Sequence, residues 1–147
     1  MAIKAFFDGC CEPTNPGGYC GFGAVVFKDD KRIWDYSGFI DKSPTTSNNV
    51  GEYKAFIKIL EYLYENDMRS EDITIYGDSK LVIEQMFGSW RIKQGFYVPF
   101  AHQAMELVQQ FEDVKGQWIP REKNYIADEL SKAELIKRKV EFRIQPS

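Results

Sequence analysis

Residues 3–27 read IKAFFDGCCEPTNPGGYCGFGAVVF, and the fold turns on them. IKAFF is apolar and aromatic, and Asp8-Gly9 closes it, so a short first strand ending at Gly9 is expected. The following EPTNPGG is turn chemistry, with two prolines, an asparagine and a glycine pair. YCGFGAVVF then makes a second strand. KRIWDYSGFI (31–40) makes a third, across the polar turn KDDK. Three consecutive strands joined by short turns predict an antiparallel meander.

Outward from this meander the pattern changes. Tyr53, Phe56, Ile57, Leu60, Leu63 and Tyr64 recur at helical spacing after DKSPTTSNN. DITIYGD is a strand, SKLVIEQMFG a helix closed by Gly88, and PFAHQAMELVQQF another amphipathic helix. GQWIP reads as a strand and YIADELSKAELIKRK as a last helix. The order βββ-α-β-α-α-β-α places an antiparallel half beside strands alternating with helices, which pair in parallel. The expectation is a mixed α/β sheet with helices packed against it.

With 147 residues, 44% of them hydrophobic and 15% aromatic, the chain can bury one good core. One domain over residues 1–147 is expected. No apolar run approaches the ~18 residues of a membrane-spanning helix. The start MAIKAFFDG lacks a secretory cleavage pattern, so a cytoplasmic monomer is expected. The net charge of -3 does not advertise a nucleic-acid binder. Its distribution is uneven, however. Residues 131–147 hold five cations (Lys132, Lys137, Arg138, Lys139, Arg143) against Glu134 and Glu141, a net of +3, so the remainder sums to -6. Residues 136–147 therefore read as a basic tail. Cys10, Cys11 and Cys20 have no second close-spaced pair, and His102 is the only histidine. That argues against a thiolate metal centre, and an intracellular setting argues against a disulfide.

Four acids stand out. Asp8 and Asp78 each end a strand; Glu52 and Asp128 each lie near the start of a helix. Each has an ordinary explanation. Asp8 suits a turn before glycine, and Asp78 suits a helix N-cap. Asp128 is favoured by the helix dipole. Glu52 falls in or beside its helix's apolar stripe, where it needs either a cation or a capping box with Asn49. As a set they admit another reading. Neighbouring first and fourth strands would bring Asp8 and Asp78 together, and clustered carboxylates repel unless divalent cations neutralise them. Hard oxygen ligands suit Mg²⁺ or Mn²⁺. Two such ions can activate water and stabilise a leaving oxygen in phosphodiester hydrolysis.

Four segments in order resemble the motifs of type 1 ribonuclease H: FFDGCCEPTNPGG, TSNNVGEY, YGDSKLVIEQM and WIPREKNYIADELS. Together they cover nearly the whole chain. The resemblance implies the α/β ribonuclease H-like fold, a five-stranded mixed sheet in which strands 1–3 are antiparallel and strands 1, 4 and 5 parallel. It implies that Asp8, Glu52, Asp78 and Asp128 are catalytic, metal-binding carboxylates. The implied reaction cuts the RNA strand of RNA–DNA hybrids with two Mg²⁺ ions, Mn²⁺ being a substitute, and leaves 5′-phosphate and 3′-hydroxyl ends. Gly9, Cys11, Asn15, Gly17, Ser47, Asn48, Asn49 and Lys80 match substrate-binding positions. Ser47 stands where the family often has a threonine holding a DNA phosphate, and Lys80 where it often has glutamine.

Departures from the family pattern carry their own expectations. In place of a lysine-rich protrusion, FGSWRIKQGFYVPF offers Arg91 and Lys93. The loop before Asp128 has no histidine, and Arg121, then Lys123, are the candidates to assist product release in its place. The compact PREKN loop and a strand-like tail, VEFRIQP, are similar to archaeal or short bacterial members, some of which also cut double-stranded RNA. A non-catalytic binding module would tolerate loss of a carboxylate, and all four are present. DNA-cleaving relatives on the same fold typically lack the N-P-G and T-N-N segments.

Overall fold

Alternation along the first strand sets the two faces of the sheet. In β1 (Ala2–Glu12), Ile3, Ala5 and Phe7 are buried while Ala2 and Lys4 are exposed, because successive side chains point to opposite faces. The computed structural model describes residues 2–144. Within it, β1 pairs antiparallel with β2 (Tyr19–Lys28), and β2 pairs antiparallel with β3 (Lys31–Ile40). On its other side β1 pairs in parallel with β4 (Asp72–Gly77), which pairs in parallel with β5 (Val114–Trp118). The order β3-β2-β1-β4-β5 is the mixed five-stranded sheet that the motifs imply.

One face is covered by α1 (Asn48–Glu65), with α2 (Lys80–Phe87) and α3 (Val98–Val108) beside it. Tyr53, Phe56, Ile59, Leu60 and Leu63 of α1 are fully buried. Phe56 meets Phe7 edge-to-face at 5.5 Å, and burying a ring of this size contributes about 1.5–3 kcal/mol. The opposite face carries α4 (Tyr125–Lys137). This helix lies against Gly21 and Gly23 of β2, where a Cβ at Gly23 would stand 2.6 Å from the Ala127 carbonyl oxygen. Among the described residues no helix is long and apolar enough to cross a membrane.

Three expectations need correction. β1 does not end at Gly9. It stays paired with β2 as far as Glu12↔Tyr19, so Asp8 is interior to its strand. β5 begins earlier than expected, at Val114, and stops before Ile119-Pro120, since proline cannot donate to a ladder. The tail is not strand-like. Its first two residues, Ile136 and Lys137, still belong to α4, and residues 140–144 form no strand. Gln145–Ser147 lie outside the described residues.

Candidate active site

The parallel ladder brings the two aspartates together. Its last rung is Phe7↔Gly77, so Asp8, still within β1, and Asp78, the residue that follows β4, come next side by side. Glu52 arrives from α1, whose first turn crosses β1 at Gly9. A Cβ on Gly9 would lie 2.5 Å from the Gly51 carbonyl carbon, so the helix could not approach so closely over any other residue. Ligand oxygens of Asp8, Glu52 and Asp78 all lie within 4.8 Å of one another. Asp128, on α4, completes the lining of a cleft of about 630 Å³ that also holds Asn48, Arg121 and Lys132.

For two of these acids the ordinary explanation is taken by another residue. Ser47 caps α1, its hydroxyl accepting from the Val50 amide at 3.2 Å, so Glu52 belongs to no capping box with Asn49. Ser79 caps α2 through the Val82 amide, so Asp78 is not the N-cap. Asp128 sits in the first turn of α4 and pairs with Lys132 at 3.0 Å.

The electrostatics are uneven across the cleft. Lys132 serves Asp128, and the positive charge of Arg121 acts on Asp78. Asp8 and Glu52 are 5% and 8% exposed, and neither has an ion pair among the described residues. Oε2 of Glu52 is buried without a hydrogen-bond partner. Burial pushes the pKa of Asp8 well up, and repulsion from Asp78 adds to it. Burial likewise raises Glu52, reinforced by Asp8 and then Asp78. Asp78 is raised by burial, against the opposing pull of Arg121. A buried, unpaired carboxylate pair is costly. Three converging carboxylate oxygens, two of them from acids with no ion pair among the described residues, have the chemistry of a site for a hard divalent ion.

Two segments expected to meet substrate are joined to each other. The Asn48 amide donates to Asn15 Oδ1 at 3.0 Å, and the Gly17 amide donates to the Thr46 carbonyl at 2.8 Å. Asn48 Oδ1 is buried and unpartnered at the edge of the cleft. Asn15 and Asn49 are exposed. Lys80 lies over the Trp118 ring at 5.2 Å, and the Trp118 indole N–H donates to the Asp78 carbonyl at 3.1 Å. Arg121 lines the cleft, whereas Lys123 lines a separate hollow with Lys4 and Phe6. Cys11 does not reach the surface. Its side chain is fully buried beside Cys20, its partner across β1 and β2, so a sugar contact through its thiol is excluded. All three cysteines are free thiols.

Several contributors were not singled out from sequence. Asn124 is 1% exposed and donates to the Phe7 carbonyl at 2.9 Å, tying the start of α4 to the residue before Asp8. Its only sequence signal is its place four residues before Asp128. Lys132 stands four residues after Asp128, a helical pair that spacing could have suggested. Arg143 reaches the cleft wall from the tail.

The sequence and the fold are shared with known relatives. The reverse transcriptase-like family model matches residues 6–134. The structure superposes on the N-terminal RNase H domain of Rv2228c from Mycobacterium tuberculosis with a TM-score of 0.83 and 30% identity, covering 95% of this chain and 96% of that one. The chain belongs to the type 1 ribonuclease H family. Another family member, RNase H1 of Halobacterium salinarum, superposes with a TM-score of 0.79 and 29% identity over 93% of this chain and 99% of that one. LC11-RNase H1, solved in complex with RNA/DNA hybrid, superposes with a TM-score of 0.76 and 30% identity over 93% and 99%. In sequence the chain is 34% identical to the bifunctional protein Rv2228c over 121 residues, which are 80% of this chain and 31% of that protein. The chain thus spans about a third of the length of the curated mycobacterial relatives it matches.

Proposed function

We propose that this ribonuclease H family member is an endoribonuclease that hydrolyses the RNA strand of RNA–DNA hybrids. The observation carrying this reading is the triad Asp8, Glu52 and Asp78, whose oxygens converge within 4.8 Å while Glu52 Oε2 stays unpartnered. These three residues, with Asp128 at the rim, would hold two divalent ions, Mg²⁺ first and Mn²⁺ as a substitute. Bound there, such ions supply an activated water and neutralise the charge developing on the leaving oxygen, leaving 5′-phosphate and 3′-hydroxyl ends.

The chain's own residues supply the rest. Asp8 lies inside β1 and Asp78 directly follows the end of β4, so the carboxylates are placed before substrate arrives. Lys132 holds Asp128 in the cleft. Asn48 offers a buried acceptor, Oδ1, that a ribose 2′-hydroxyl can donate to and deoxyribose cannot. Asn15, Gly17 and Asn49 extend this RNA-facing edge together with the Gly9 backbone. Ser47 faces a phosphate of the DNA strand, and Lys80 stands at the position that approaches the bases. Arg121, already beside Asp78, assists departure of the cleaved phosphate; Lys123, on another hollow, is the weaker candidate. The whole chain acts as one catalytic domain, a cytoplasmic monomer. LC11-RNase H1 holding an RNA/DNA hybrid supports the choice of substrate.

The test is cleavage of hybrid, duplex RNA and duplex DNA, each with Mg²⁺, Mn²⁺ or EDTA, beside an Asp78→Asn variant. Hybrid cleavage dependent on metal and lost in the variant is expected. Cleavage that persists in EDTA or in the variant overturns the mechanism. Duplex RNA cleavage widens the substrate class. Hybrid binding without cleavage points to a binding module, and duplex DNA cleavage to a DNA nuclease.

A further inference from the structure

The wall of the cleft beyond Asp8 is made partly by the tail. Glu12 is the last residue of β1 and lies on the same strand face as Asp8, since both are even positions. Four residues of strand put the two about 13 Å apart. The side chain of Glu12 is 15% exposed and lines the cleft together with Phe142, Arg143 and Ile144. Arg143 closes on it from 131 residues away. Its backbone N–H and Nε both donate to Glu12 Oε1 at 3.0 Å, and Nη2 donates to Oε2 at 3.2 Å and to the Cys11 carbonyl at 2.8 Å. Against the opposing effect of burial, Arg143 holds the Glu12 carboxyl below its ordinary range.

This pairing has a consequence for a polyanion. Each strand of a nucleic-acid duplex carries one phosphate per about 3.4 Å of rise. A strand lying at Asp8 therefore has phosphates within reach of Glu12, and the Debye length of about 10 Å at 0.1 M salt leaves such repulsion only partly screened. Glu12 contributes nothing to the metal triad and would by itself repel the substrate. We propose that Arg143 is a positioning residue that neutralises Glu12, so that the tail sets the affinity of the cleft for the RNA strand. The inference rests on the ribonuclease reading above.

The test measures kcat and KM on RNA–DNA hybrid at low and high salt for wild type, Arg143→Gln, Arg143→Lys, Glu12→Gln and the double variant Glu12→Gln/Arg143→Gln. Arg143→Gln should raise KM about fivefold at low salt with little change in kcat, and the difference should shrink at high salt. Arg143→Lys, which keeps the charge, should stay near wild type. The double variant should bring KM back to within about twofold of wild type. Glu12→Gln alone leaves an unpaired cation and should lower KM at low salt; it decides the matter even if Arg143→Gln fails to fold. An unchanged KM in Arg143→Gln overturns the proposal. So does a double variant as weak as Arg143→Gln, which would mean that Arg143 itself touches RNA or supports the fold. An unchanged or raised KM in Glu12→Gln overturns it as well. Wild-type protein that neither binds nor cuts hybrid overturns the ribonuclease reading and this inference together. Wild-type turnover beside a flat KM across the variants overturns this inference alone.

Discussion

Glu52 is where burial and charge conflict most sharply. Its backbone is fixed by a helix capped elsewhere, its side chain is buried, and Oε2 has no partner. The folded state tolerates this only at a cost, and a neutral amide of the same shape removes the charge. Glu52→Gln should therefore raise metal-free stability at neutral pH by about 1–3 kcal/mol while lowering hybrid cleavage at least about 100-fold. Urea denaturation in EDTA and a cleavage assay read the two effects separately. A variant that loses stability along with activity would show that the ionised carboxylate has structural partners after all. The sequence already placed Glu52 in or beside an apolar stripe, which is why it was suspect. It left the capping box open, because nothing in TSNN says which residue caps. The choice of Ser47 depends on how Asn15 and Thr46 hold the chain at the helix start, a contact between segments about 30 residues apart.

At the scale of elements, the order of strands and helices was legible because the apolar residues of β1 and α1 repeat at the period of a strand and of a helix, and turn residues punctuate the rest. The extent of β1 was not. Gly9, Cys10, Cys11 and Glu12 carry no alternation, and only the facing run of β2 keeps them extended. The correction matters for the site. Asp8 is rigid because it lies inside a strand, yet it is open to Asp78 because the parallel ladder stops one residue earlier. The placement of α4 depends likewise on what is missing from β2. Gly23 faces Asp8 across the ladder, and the space where its side chain would be is taken by α4. Gly23→Ala should push α4 outward, costing about 1–3 kcal/mol from overpacking and displacing Asp128. Denaturant midpoints should fall, and cleavage should fall further than the lost stability explains. Normal activity in the folded variant would show that Asp128 does not need its present position. Asn124 and Arg143 escaped the sequence reading for a shared reason: their roles appear only once α4 and the tail are folded back beside β1, whereas the pair of Lys132 with Asp128 is local to α4 and its spacing was there to be read.

Over the whole molecule, the same charges make stability depend on pH and on metal. Asp8 and Glu52 titrate well above their ordinary values of 3.8 and 4.5 through burial and then mutual repulsion among the carboxylates. An acid with a raised folded-state pKa binds its proton more tightly folded than unfolded. Its contribution to stability therefore declines as pH rises from the ordinary value to the raised one, and the loss is complete above that. Glu12 has the opposite sign: its lowered pKa adds stability as pH rises toward 4.5 and nothing further beyond. Above the ordinary carboxylate range the raised pair should set the slope, so the Tm in EDTA should fall as pH climbs. A divalent ion that binds only the ionised cluster of the folded state, as proposed above, adds about 2.7 kcal/mol at about 100 times its Kd. Because protons compete for the same oxygens, that gain should be small near pH 5 and grow with pH. Thermal melts across this range, with EDTA and with Mg²⁺, should give two curves that diverge as pH rises. In the Asp8→Asn/Glu52→Gln variant the EDTA curve should flatten and the Mg²⁺ gain should vanish. Parallel curves in the wild type, or an undiminished Mg²⁺ gain in the variant, would place the ion somewhere other than the end of the β1–β4 ladder.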